Sequence, residues 1–188
     1  MRLPRRLIAE NVNSRVPGPE RAGLTCDVPV RSEPRYLEFQ PHRAEEVVAV
    51  LTEMAETGRG WVNFEPAVHV DDVPAEGSGA FSLFSGRGPV VPLGTWTPGS
   101  LSRRGRREPA MLGLQHPAGS KAKPLLAELG NAVPEGWAVV QDHVRKGLVV
   151  AVPGDVGADV ALEWLLRAAR LLSTIPLTGG WRAAVYSG

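Results

Sequence analysis

The sequence predicts an α+β fold, with a ferredoxin-like β-α-β-β-α-β unit over its C-terminal eighty or so residues and an N-terminal β-α-β-β-β part that extends or packs on the same sheet. Residues 158–175, ADVALEWLLRAARLLSTI, place Ala161, Trp164, Leu165, Ala168, Leu171, Leu172 and Ile175 on one stripe of a 3.6-residue period, with Glu163, Arg167 and Arg170 off it. WAVVQD (137–142) and GLVVAV (147–152) are apolar runs separated by four residues, HVRK, which suits a hairpin. Strand and helix patterns then follow one another from 109 to 186 in the β-α-β-β-α-β order. These features predict the ridge Trp164 to Leu172 lying beneath a sheet whose middle strands are 137–142 and 147–152.

Taken along the chain, residues 1–34 carry five prolines and two glycines, and arginines outnumber acids there. No periodicity survives so many breakers, and an irregular basic arm is expected. Residues 35–97 form the N-terminal α+β part. RYLEFQ (35–40) alternates Tyr36 and Glu38 with Leu37 and Phe39, a half-buried strand closed by Pro41. RAEEVVAVLTEMAET (43–57) is a helix burying Val47, Val50, Leu51 and Met54, with acids at its positive end and Gly58 as its stop. WVNFEPAVHV (61–70) is a strand weakened at Pro66, and AFSLFS (80–85) is another. PVVPLGTWT (89–97) is expected at an edge or outside the sheet, because each of its two prolines removes a ladder donor.

Residues 98–108 form an Arg-rich loop or linker, and 109–188 the C-terminal unit. In that unit PAMLGLQ (109–115) is a strand, 121–130 a short helix with Leu125, Leu126 and Leu129 on one side, and WRAAVY (181–186) the last strand.

Composition excludes some classes. The net charge is +1, so no global field draws in nucleic acid. Eighteen of the 21 basic residues are arginines, which reflects codon usage before it reflects phosphate recognition. The single cysteine, Cys26, has no internal disulfide partner, and no apolar run is long enough to cross a membrane, so a cytoplasmic protein is expected. No cofactor motif is present. The four histidines match no metal-ligand spacing, His69 with Asp71 and Asp72 being the nearest cluster, so no metal is expected.

Two stretches remain where a ligand could bind. In QHPAGSKAKP (115–124) a strand ends, a loop turns and a helix begins. His116, Gly119, Ser120, Lys121 and Lys123 are the candidate anion site there, with Ser120 as N-cap. Two of the chain's three lysines stand at the positive helix end, where a bound phosphate or carboxylate would reverse an otherwise unfavourable charge arrangement. The alternative is a nucleic-acid contact through Arg103, Arg104, Arg106 and Arg107. Asp142 and His143 are adjacent, so on a strand they face opposite sides, and a polar hairpin tip accounts for them.

The function expected is a non-catalytic binding or self-association module. A small enzyme acting on a phosphate- or carboxylate-bearing substrate, with His116 as acid/base, is the alternative beside nucleic-acid binding. Partners expected are a second copy, through the sheet face or edge, and a small anionic ligand.

Overall fold

The computed structural model describes residues 33–73, 88–100 and 108–187. Within them the chain runs β1 (Arg35–Phe39), α1 (Glu45–Thr57), β2 (Trp61–Pro66), a short 3-10 turn (Val70–Asp72), β3 (Leu93–Thr97), β4 (Ala110–Gln115), α2 (Ala122–Glu128), β5 (Ala138–His143), β6 (Gly147–Val152), α3 (Ala158–Leu172) and β7 (Trp181–Tyr186). The seven strands form one antiparallel sheet in the order β1-β7-β2-β3-β4-β6-β5. The fold is thus α+β, and residues 35–97 and 109–188 contribute to the same sheet.

The register explains the core. One cross-strand row reads Leu37, Ala183, Phe64, Gly94, Leu114, Leu148 and Asp142. The next row on that face reads Val185, Val62, Trp96, Leu112, Val150 and Val139. Because side chains alternate with period two, this apolar set faces one side, and the helices lie on that side. α3 packs on β3 and β4, with α1 beside it on one flank and α2 on the other. Gly94 lets α3 come close, since a Cβ there would sit 3.2 Å from the Leu165 side chain.

Of the predicted α3 stripe, Ala161, Trp164, Leu165, Ala168 and Leu172 are buried, while Leu171 and Ile175 are half-buried. Leu162, Leu166 and Ala169 are buried as well. A helix with neighbours on both flanks hides a wider arc than a single stripe. α3 stops at Leu172 rather than Ile175, because Pro176 disfavours helical geometry in the residue before it. In α1, Val47, Leu51 and Met54 are buried, and Gly58 closes the helix in the left-handed region (φ 67°) with its N–H on the Met54 carbonyl.

Two expectations are corrected. The hairpin of β5 and β6 forms, but it occupies one side of the sheet, with β5 at the edge rather than in the middle. The proline-flanked segment is the reverse case. β3 begins just after Pro92, donates an unbroken ladder and lies at the centre of the sheet. The strand expected at 80–85, the Arg-rich stretch 103–107 and residues 1–32 of the basic arm lie outside the described residues.

Candidate functional site

The predicted anion-binding residues gather where β4 ends and α2 begins. Lys121 takes the N-cap position in extended backbone, so Ser120 is not the cap. No side chain of the 115–123 loop caps the helix; the carboxylate of Asp142 does so from β5. Its Oδ1 accepts from the Ala122 amide at 2.8 Å and its Oδ2 from the Lys123 amide at 3.2 Å. Asp142 ends the core-facing row, on the edge strand, and so points under the helix start. The positive helix end that the two lysines surround therefore holds a carboxylate of the chain itself. Gly119, Ser120, Lys121 and Lys123 are exposed around it.

His116 follows Leu114 by two residues and is 1% exposed. Neither ring nitrogen has a hydrogen-bond partner among the described residues. Burial holds its pKa below the ordinary 6.5, and the negative charge of Asp142 works in the opposite direction. Gly88 crosses so close to the His116 backbone that a Cβ there would strike the His116 carbonyl. A neutral imidazole sealed in this way is a packing group with an unmet polar demand of about 1–3 kcal/mol. The adjacent His143 turns the other way, as strand alternation requires. Its Nδ1 accepts from the backbone N–H groups of Arg145 and Lys146 at 3.1 and 3.3 Å and so holds the hairpin tip.

Sequence reasoning placed Asp142 at a polar tip and missed its capping role. Ser120, a residue type that caps helices, stands beside the helix start, so the sequence carried no signal that an acceptor would come from β5.

The opposite face of the sheet is the second feature. Its central row is Tyr36, Ala184, Asn63, Thr95, Gly113, Val149 and Gln141. No described helix covers this face. Trp61 and Tyr186 stack on it, with ring centroids 4.6 Å apart and planes within 8°. The Arg182 guanidinium lies over the Tyr36 ring at 5.2 Å and pairs with Glu65. Tyr36 is 57% and Trp61 39% exposed, large apolar groups for an uncovered surface. The Thr95 hydroxyl donates to Asn63 Oδ1 at 3.0 Å, so the middle of the face is polar but internally satisfied.

The third feature is a groove of about 800 Å³ between the start of α1 and the length of α3, floored by Trp181, Leu162 and Leu166. Among the described residues no three His, Cys, Asp or Glu side chains come together as metal ligands. None of the described helices is long and apolar enough to cross a membrane. No protein-family model, curated protein or solved structure matches the chain.

Proposed function

We propose that this chain is a non-catalytic binding module that associates with a second copy of itself through the face of its sheet opposite the described helices. The observation that carries the reading is the set of three aromatic residues, Tyr36, Trp61 and Tyr186, on a face that no described helix covers. Seven strands about 4.8 Å apart and five or six residues long give that face roughly 600 Å². Doubled across a two-fold axis, this meets the lower limit of a standard interface, about 1,200 Å² in total.

The edges are poorer candidates. β5 carries a bulge between Val139 and Gln141, which breaks the ladder a partner strand would extend. β1 is five residues long and lies between Pro34 and Pro41. In the same reading, residues 109–186 are a ferredoxin-like unit opened by an insertion. Leaving β2 and β3 out of the sheet order gives β7-β4-β6-β5, a split β-α-β arrangement.

The other readings have less support. An external anion at Lys121 and Lys123 competes with Asp142 for the same two amides. An acid/base role for His116 needs access that its burial denies. The nucleic-acid reading rests on Arg103, Arg104, Arg106 and Arg107, which lie outside the described residues.

Sedimentation velocity at micromolar concentration tests the proposal. The expected species has twice the 20.1 kDa chain mass. Met111→Glu, on the uncovered face, is expected to give the monomer, whereas Val140→Glu, on the β5 edge, leaves the dimer intact. A wild-type monomer at 100 µM, or a dimer lost only in Val140→Glu, would overturn it.

A further inference from the structure

The groove between α1 and α3 has the volume of a small-molecule site and an apolar floor with a few polar groups at its rim. One of those polar groups is already engaged. The Arg167 guanidinium donates to the Gly130 carbonyl at 3.3 Å, beyond the end of α2. The Asp159 carboxylate folds back over Gly157 at the start of α3, where a Cβ on that glycine would strike it. Arg170 is exposed, and its guanidinium has no hydrogen-bond or ion-pair partner among the described residues.

Topology places Arg170 together with His42. Arg170 is in the last turn of α3, at the end of the groove where β7 begins with Trp181. Trp181 pairs with Phe39, and His42 follows three residues later on the β1–α1 connection. Arg170, His42 and Trp181 thus all line the end of the groove where α3 stops and β7 begins. The carboxylate of Glu163 lies seven residues back along α3, roughly 10 Å away. Between them the wall is Val48 and Leu166.

We propose that this groove binds a small amphiphilic carboxylate, its charged head on Arg170 and His42 and its hydrocarbon body along Val48, Leu166 and Trp181. An anionic head pairs with the Arg170 guanidinium and takes a hydrogen bond from the His42 imidazole, and the apolar floor accepts a chain or ring that leaves water there. A cationic head would meet Arg170 and is rejected by it.

Octanoate and uncharged octanamide, titrated calorimetrically into the full chain, test this. Octanoate is expected to bind at least tenfold more tightly than octanamide. Arg170→Met keeps the stem and removes the charge, and is expected to abolish that preference. Val48→Phe fills the groove, and is expected to abolish binding of both ligands. Met111→Glu, on the opposite face of the sheet, is expected to bind octanoate as wild type does, which separates this site from the self-association reading. No octanoate heat at millimolar concentration, equal affinities for the two ligands, or an unchanged preference in Arg170→Met would overturn the proposal. Should Val48→Phe fail to fold, the Arg170→Met comparison still decides it.

Discussion

The carboxylate of Asp142 and the backbone amide of Ala122, twenty residues apart in sequence, are joined by a 2.8 Å hydrogen bond that fixes α2 to the edge of the sheet. The helix has seven residues and no capping side chain of its own. An isolated helix of that length does not hold together in water, so its ordering depends on tertiary contacts, and this is its polar one. Removing the carboxylate with Asp142→Ala is expected to destabilise the fold by about 0.5–2 kcal/mol, as the loss of an N-cap does. Asp142→Asn retains one acceptor oxygen and is expected to cost less. Urea unfolding measures both, and amide exchange at Ala122 and Lys123 should rise in Asp142→Ala before the rest of the chain is affected.

His116 sets a pH dependence with a definite sign. Its folded pKa lies below 6.5, so the unfolded chain takes up a proton that the folded chain refuses. The unfolded state binds more protons, and stability therefore rises with pH through this window. The contribution is complete above about pH 6.5 and declines as the pH falls below it towards the folded value. His116→Leu is expected to flatten the stability profile between pH 7 and pH 5. An unchanged slope in that variant would show that another group carries the dependence.

Gly94 and Leu165 set the spacing between sheet and helix. A methyl group at Gly94 would approach Leu165 to 3.2 Å, closer than side-chain carbons ordinarily pack. Gly94→Val is expected to destabilise by about 1–3 kcal/mol through overpacking. Combining it with Leu165→Ala should recover part of that loss, a coupling that a double-mutant cycle in urea would read directly.

Trp164 links α3 to the loop after α2. Its indole N–H donates to the Ala132 carbonyl at 3.1 Å, and its ring meets Trp137 edge to face with centroids 5.4 Å apart. Trp164→Phe keeps much of the apolar volume and leaves that carbonyl without its donor. The expected cost is about 1–3 kcal/mol, seen as a lower urea midpoint and as altered near-ultraviolet dichroism of Trp137.

What the sequence made legible was periodicity. The α3 stripe, the α1 stripe with its glycine stop, the strand at 35–39 and the hairpin all came from spacing alone, and spacing is a local property. What it hid was order in space. β7 lies between β1 and β2, a long-range pairing that no window of residues contains. Pro89 and Pro92 argued for an edge strand, but both fall outside the hydrogen-bonded ladder of β3, which is therefore free to lie at the centre. At the candidate site, His116, Lys121 and Lys123 stand where β4 passes into α2. The lysines were read as a sign of an external anion because the acid that meets the helix start comes from a strand twenty residues later.

The position of β7 bears on how the molecule is made. Among the described residues β1 hydrogen-bonds only to β7, and β2 meets β1 only through it. Until Trp181 to Tyr186 have left the ribosome, β1 lacks the one partner it has among the described residues, and the side of β2 that β7 will take is open. The synthesis of β7 therefore joins β1 to β2 in one step and completes that side of the described sheet.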